Sequence, residues 1–313
     1  MDFNTPRPLR RGGGEGRRSD RGALREEGKT GQKIAVVGAG TMGRGIAQVA
    51  VTQGIPTHLC DLNEVVLDEA RQAMARGIDK GIEKGKIPPE ARGRLAELLV
   101  TGTDVGAAVA GADLVIEAVP ESLELKLGVL RTISTSAPSG CVLASNTSSL
   151  PITGLAAGVP APSRFLGMHF FNPVPVMKLV EVVRGLETSE ETVEAAVALA
   201  RRLGKEPIVV NDSPGFATSR LGVAIGLEAI RMVESGVAGA DEIDRAMEIG
   251  YRHPMGPLRL TDLVGLDVRL AIAEHLQKEL GERFRPPALL RKMVRAGRLG
   301  KKSGRGFYDW DDD

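Results

Sequence analysis

His169 and Glu181 are the two side chains of this chain best placed by type and spacing to move a proton. They lie in the stretch His169 to Val183, reading HFFNPVPVMKLVEVV. Glu181 is the lone acid in Leu179-Val180-Glu181-Val182-Val183, a branched apolar run that reads as a strand. A buried carboxylate is costly unless something pairs with it. The turn Asn172-Pro173-Val174-Pro175 can bring the chain back so that Glu181 meets His169. A carboxylate on one imidazole nitrogen fixes the tautomer and ring angle and leaves the other nitrogen free to take a proton. An isolated pair of this kind also fits a structural core histidine, so the surrounding elements must decide.

The first of those elements begins at Lys33. Ile34-Ala35-Val36-Val37 reads as a short buried strand, followed at once by Gly38-Ala39-Gly40-Thr41-Met42-Gly43. A helix to about Gln53 comes next, with Met42, Ile46, Val49 and Ala50 on its apolar face and Gly54 as its stop. A second strand, Thr57 to Cys60, ends at Asp61. Glycines let the backbone turn tightly and approach a pyrophosphate, which sits on the amide-rich helix N-terminus. The acid that follows receives the ribose hydroxyls. GxGxxG alone is weak, but strand, helix, second strand and terminal acid are all present here. No basic residue follows Asp61 until Arg71, whereas an NADP site needs a cation for the 2′-phosphate. The cofactor expected is therefore NAD.

From Asn63 to about Lys84 the pattern is helical, with Ala70, Met74, Ile78 and Ile82 in step, and Pro88-Pro89 opens a helix reaching Leu99. This helical hairpin interrupts the alternation of strand and helix. Lys80 and Lys84 on its other face are either a solvated pair or an anion clamp for a phosphorylated substrate. Alternation resumes with the strand Leu114 to Val119, a helix from Leu123 to about Ser136, and the strand Cys141 to Ala144. Glu121 and Lys126 follow the first strand, and Ser145-Asn146-Thr147-Ser148-Ser149 the second. Ligands of open α/β sheets bind beyond the carboxyl ends of strands, which places these residues at the site. For Ser148 a plain helix-cap role is the alternative.

A strand from Arg164 to Met168 leads into His169. The helix Glu190 to Leu203, the strand Pro207 to Val210 and the turn-rich Asn211-Asp212-Ser213-Pro214-Gly215 follow. Beyond that piece every segment is helix-periodic: Phe216 to Glu234, Ala240 to Ile249, Leu258 to Leu280 and Pro287 to about Arg295. Strands with helices, then helices alone, indicate two domains of different class. The expected organisation is a tail over 1–31, an α/β dinucleotide-binding domain over 32–212, and a helical domain over 213–313.

Composition narrows the function classes. Formal net charge is +1 over 313 residues, so no general field draws the body to nucleic acid or an acidic membrane. No apolar stretch is long enough to span a bilayer, and the four histidines show no metal-ligand spacing. Two cysteines, Cys60 and Cys141, border apolar runs far apart, which fits reduced thiols and a reducing compartment. The Gly- and Arg-rich residues 1–31 lack the apolar content to offset ordering. Asp2, Glu15, Asp20, Glu26 and Glu27 weigh against a transit peptide. A disordered extension and a cytoplasmic location are expected.

GAGTMGRGIA, SNTSSL, HFFNPVPVMKLVEVV, SPGF, PMGPLRLTDLVGLD and GKKSGRGFY, in this order, resemble the L-3-hydroxyacyl-CoA dehydrogenases. The resemblance is to their short-chain-acyl branch, most of all the bacterial 3-hydroxybutyryl-CoA dehydrogenases, and covers about residue 32 to the end. It implies a Rossmann-like domain with a helical hairpin insertion, an all-helical C-terminal domain that dimerises, NAD as cofactor, and an acyl-CoA substrate. By resemblance His169 is the base, Glu181 its partner, Ser148 a hydrogen-bond donor to the substrate oxygen, and Asn172 a neighbour of substrate and nicotinamide. Asp61, Glu121, Lys126 and Lys302 match cofactor positions, beside the Gly38–Gly43 loop and Asn146, and Lys80 lies where the hairpin meets coenzyme A. One departure stands out. The family usually carries PGF-x-x-Asn-Arg, whereas Ser219 stands here in place of the asparagine and offers one hydroxyl donor where the amide offers two.

The chemistry implied is hydride transfer between C3 of a 3-hydroxyacyl-CoA and the nicotinamide, with His169 exchanging the hydroxyl proton. A dehydrogenase of a non-CoA hydroxy acid, such as a sugar acid or carnitine, is the alternative, and a redox-silent NAD-binding protein a further one, since fold alone never fixes function.

Overall fold

The computed structural model describes residues 32–310. The expected tail, residues 1–31, lies outside them, as do residues 311–313. The strand β1 (Ile34–Val37) is buried along its whole length, as a strand covered on both faces must be. Its side chains alternate. Ile34 and Val36 enter one core, beneath α1 (Thr41–Thr52) and α2 (Glu64–Glu83), while Ala35 and Val37 enter another on the opposite face. β2 (Thr57–Cys60) pairs beside β1, and Asn63 caps α2 by accepting from the Val65 N–H at 2.9 Å.

Two short elements depart from the sequence reading. The second helix of the hairpin, α3 (Ala91–Leu98), stops one residue early, because Leu99 opens a strand, β3 (Leu99–Gly102), that pairs with β2. β3 is four residues long at a sheet edge and leaves Val100 exposed, so it carries neither the length nor the apolar run of a buried strand. The helix α4 (Val105–Val109) follows, capped by the Asp104 carboxylate; its small residues give no periodic signal.

β4 (Leu114–Glu117), α5 (Leu123–Ser136), β5 (Val142–Ser145), α6 (Ile152–Ala156), β6 (Phe165–Phe170), β7 (Leu179–Arg184), α7 (Glu190–Arg202) and β8 (Glu206–Asn211) complete an eight-stranded sheet. Its order is β3-β2-β1-β4-β5-β6-β7-β8. All neighbours are parallel except β6 and β7. The chain leaves β1 toward β3, then returns to β4 on the other side of β1. That reversal opens a crevice at the carboxyl ends of β1 and β4, where such sheets bind ligands.

The rest is helical: α8 (Thr218–Glu234), α9 (Ala240–Tyr251), α10 (Pro257–Val264), α11 (Leu266–Leu280) and α12 (Ala288–Arg295) around a third core that includes Val223, Leu227, Leu258, Leu266 and Leu276. The single helix expected from Leu258 to Leu280 is two, since Gly265 at φ 102° breaks it. The helix expected from Phe216 begins at Thr218 instead. Phe216 sits at φ 50° with its ring in the second sheet core, a backbone conformation no helix contains. The last described residues are tied down by Asp262, which accepts from the Phe307 and Tyr308 N–H groups and the Trp310 indole at 2.9–3.0 Å.

Candidate active site

Five strand ends meet at the crevice, and each delivers polar groups. At β1 the Gly38–Gly43 loop carries the chain into α1. Gly38 has φ 106°, and a Cβ there would lie 2.6 Å from the Ala118 carbonyl oxygen; at Gly43 it would lie 1.7 Å from that of Gly38. Only glycine closes this turn. Gly40 caps α1 with no side chain, so the first N–H groups of the helix, beside the exposed Thr41 and half-buried Met42, are open to an anion. At β2 the Asp61 carboxylate accepts from the Ala39 N–H at 2.8 Å and the Asn63 N–H at 3.2 Å, and no cation pairs with it among the described residues. A close backbone, an uncapped helix start and an unpaired acid at the next strand fit a dinucleotide with a free 2′-hydroxyl.

At β4 a buried charge network takes over. Glu117 is fully buried and accepts from Lys126 Nζ at 2.8 Å, Ser145 Oγ at 2.6 Å and the Val119 N–H at 2.8 Å. Lys126, 1% exposed, also donates to the Val119 carbonyl at 3.1 Å and lies 3.3 Å from Glu121. Those three acceptors use its three donors. Glu121 in turn accepts from Thr147 Oγ1 at 2.5 Å and from the Ser148 and Ser149 N–H groups at 2.9 and 3.1 Å. Burial pushes the Glu121 carboxyl up, but the Thr147 hydroxyl and the Lys126 charge outweigh it and hold the group below the usual glutamate value. Glu121 is thus the hub that shapes the loop after β5. In the same loop Asn146 accepts from the Phe170 N–H at 2.9 Å, which ties it to the residue after His169.

At β6 and β7 the turn does what the sequence reading asked of it. His169 and Glu181 are direct cross-strand partners, and Nδ1 lies 2.8 Å from Oε2. Both side chains are buried, and Nε2 makes no hydrogen bond among the described residues. Phe171 and Phe216 flank the imidazole, with ring centroids 4.4 and 6.0 Å away. Glu181 is also bound from the helical region. The Ala217 and Thr218 N–H groups donate to Oε1 at 3.1 and 2.9 Å, and Thr218 Oγ1 donates to Oε2 at 2.8 Å. The carboxylate therefore caps α8 from outside, where the helix dipole favours a negative charge. Burial pushes Glu181 up, and the hydrogen bonds from His169 and Thr218 more than offset it, so the carboxyl stays ionised below its usual range.

The remaining expected residues are more scattered. Ser148 and Asn172 lie at the same edge, the first half-buried on the Glu121 loop, the second exposed at the Asn172–Pro173 cis bond. Ser219 is half-buried in the first turn of α8, next to Thr218. Lys80 is exposed in the last turn of α2, and neither it, Lys84 nor Lys86 forms an ion pair among the described residues. Lys302 lies near the chain end, 2.6 Å from Asp267 at the start of α11. No hydrogen bond joins Lys80, Lys302 or Ser219 to the His169 pair among the described residues. Sequence reasoning missed Thr218 and Glu117. Glu117 carries the same mark as Glu181, a lone acid in an apolar strand; Thr218 carries none.

Two family models divide the described chain between them. The 3-hydroxyacyl-CoA dehydrogenase NAD binding domain matches residues 33–213, and the 3-hydroxyacyl-CoA dehydrogenase C-terminal domain matches 215–310. The chain belongs to the 3-hydroxyacyl-CoA dehydrogenase family. As a member it is an NAD-dependent oxidoreductase. It is 46% identical over 283 residues to a probable 3-hydroxybutyryl-CoA dehydrogenase of Bacillus subtilis, covering 90% of this chain and 98% of that one. It is 42% identical to the 3-hydroxyadipyl-CoA dehydrogenase of Escherichia coli, covering 89% of this chain and 59% of that one. The crystal structure of (S)-3-hydroxybutyryl-CoA dehydrogenase from Ralstonia eutropha superposes with a TM-score of 0.86 at 41% identity, over 90% of this chain and 99% of that one. No described helix is long and apolar enough to cross a membrane.

Proposed function

We propose that the enzyme moves a hydride between NAD and C3 of a short-chain (3S)-3-hydroxyacyl-CoA, the pair 3-hydroxybutyryl-CoA and acetoacetyl-CoA being the reference substrates. The observation that carries this reading is the buried 2.8 Å contact between His169 Nδ1 and a Glu181 held ionised by the start of α8. With Nδ1 engaged, Nε2 takes the hydroxyl proton in oxidation and returns it to the ketone oxygen in reduction. Glu181 stabilises the imidazolium in either direction. NAD, when bound, supplies the nicotinamide that accepts or gives the hydride. Ser148 donates to the substrate oxygen, and Asn172 positions substrate against the nicotinamide.

Gly38, Gly40, Thr41, Met42 and Gly43 cradle the pyrophosphate and Asp61 binds the adenosine ribose, while Glu121, Asn146 and Lys302 line the remaining cofactor surface. Lys126, with its donors filled, serves the cofactor through Glu121 rather than by touching it. Lys80, Lys84 and Lys86, which form no ion pair among the described residues, suit the phosphates of coenzyme A, and Ser219 adjusts the acyl pocket. Exposed Leu221, Ile225, Leu260, Leu263 and Val268 on α8, α10 and α11 give the helical region an apolar face suited to a homodimer. The domain boundary lies at residues 212–213, and buried reduced cysteines fit a cytoplasmic setting.

Loss of NADH absorbance on adding acetoacetyl-CoA tests the reading. Turnover with the acyl-CoA and none with a dehydrocarnitine or keto sugar acid is expected. The reverse pattern assigns a non-CoA hydroxy acid, and no turnover with either overturns the substrate reading.

A further inference from the structure

A buried cation that the proton transfer does not use lies on the edge of the sheet where His169 sits. Lys205 precedes β8 and is 7% exposed. β7 runs antiparallel to β6, and β8 runs parallel to β7, so the start of β8 falls on the edge where β6 ends. The Lys205 ammonium donates to two main-chain carbonyls, those of Val174 and, at 2.8 Å, Met177. No carboxylate pairs with it among the described residues; the neighbouring Glu206 faces Lys178 at the surface. Burial lowers the lysine's pKa, so the site holds a charge at a cost in free energy. Packing alone would be served as well by an apolar side chain.

Its carbonyl partners belong to the turn between His169 and Glu181. That turn closes on itself through the Val176 and Met177 N–H groups, which donate to the Pro173 carbonyl at 2.9 and 3.0 Å. Val174 is buried against α1, where a Cβ at Gly45 would lie 2.9 Å from the Val174 Cβ. The turn is therefore gripped from two sides, by the helix that leaves the glycine loop and by Lys205. Its entrance is Phe171 and Asn172, and the Phe171 ring packs on the His169 imidazole.

We propose that Lys205 is a positioning residue of the hydride transfer, which holds the Val174 and Met177 carbonyls and thereby sets Asn172 and Phe171 against His169. It touches neither substrate nor cofactor. The role rests on the reading above, in which His169 moves the proton and Asn172 positions the substrate.

Lys205→Met keeps the aliphatic stem and removes every donor, and Lys205→Arg restores donors and charge. Steady-state kinetics with acetoacetyl-CoA, NADH binding by fluorescence and thermal melts are compared for both. Lys205→Met is expected to lower kcat about 10- to 100-fold, the scale of a misplaced reacting group. NADH affinity should stay within about twofold and the protein should remain folded, with Lys205→Arg recovering part of kcat. If Lys205→Met does not fold, Lys205→Gln takes its place with the same expectations. A variant lacking the ammonium that turns over like wild type overturns the role. So does one whose kcat and NADH affinity fall together with its melting temperature while arginine rescues nothing, because that is the mark of a merely structural lysine. A wild-type enzyme with no acetoacetyl-CoA-dependent oxidation of NADH instead overturns the functional reading, and this role with it.

Discussion

Thr218 binds Glu181 twice, its backbone N–H reaching Oε1 at 2.9 Å and its hydroxyl reaching Oε2 at 2.8 Å, although 37 residues separate them. Oε2 is also the atom that meets His169. The helical region therefore completes the carboxylate of a pair built by the sheet. Removing the hydroxyl while keeping shape and backbone donor, as in Thr218→Val, should lower kcat roughly 10-fold, the worth of one hydrogen bond to a charged group. KM for acetoacetyl-CoA should change little. Unaltered kcat would mean that the hydroxyl does not contribute to the charge state or aim of the pair.

In the proposed reading Asp61 sets the cofactor preference. Its carboxylate is tied to the Ala39 N–H and unopposed by a cation among the described residues, so a 2′-phosphate would meet a negative charge. kcat/KM should favour NADH over NADPH by at least about 10-fold, equivalent to roughly 1.4 kcal/mol. Asp61→Ala should narrow that ratio and raise KM for NADH, since the glycine loop loses its anchor. Equal use of both nucleotides by the wild type would contradict the assignment.

Acid sensitivity follows from two hydrogen-bonded carboxyls, Glu181 buried and Glu121 partly exposed. Burial pushes Glu121 and Glu181 up, but hydrogen bonds from Thr147 and His169, with Lys126 and Thr218, hold both below the ordinary glutamate value of 4.5. A carboxyl depressed in the folded state stabilises it at pH above 4.5, and that contribution is lost as pH falls through 4.5 and below. Urea unfolding at stepped pH should show stability holding down to about pH 5 and falling beneath it. Glu181→Gln should flatten part of that fall. An identical acid slope in the variant would show that Glu181 does not carry it.

How much of this was legible in the sequence depended on how local each signal was. β1, the glycine loop, α1 and Asp61 could be read because the residues that mark them, glycines between two short strands and a closing acid, lie within one strand-helix-strand unit. The His169–Glu181 pair could be read because a single turn joins its strands. β3 could not, being a four-residue edge strand whose outward Val100 mimics the end of a helix. Gly265 was visible as a glycine but not as a break, since the apolar periodicity continues on both sides of it. Glu117 was legible in principle, as the lone acid within Leu114-Val115-Ile116-Glu117-Ala118-Val119, but its partner Lys126 offers no pattern until α5 folds over it. Thr218 looks like any helix-start residue, and its meaning arises only when α8 docks on β7.

The proposed reaction depends on His169 carrying the proton. Its most direct test is kcat for NADH oxidation by His169→Ala at saturating acetoacetyl-CoA, with NADH affinity measured on the same sample. A loss of about 10²–10⁴ in kcat, the usual worth of a general acid–base group, is expected, with NADH binding unchanged. Near-wild-type turnover in that variant would contradict that role.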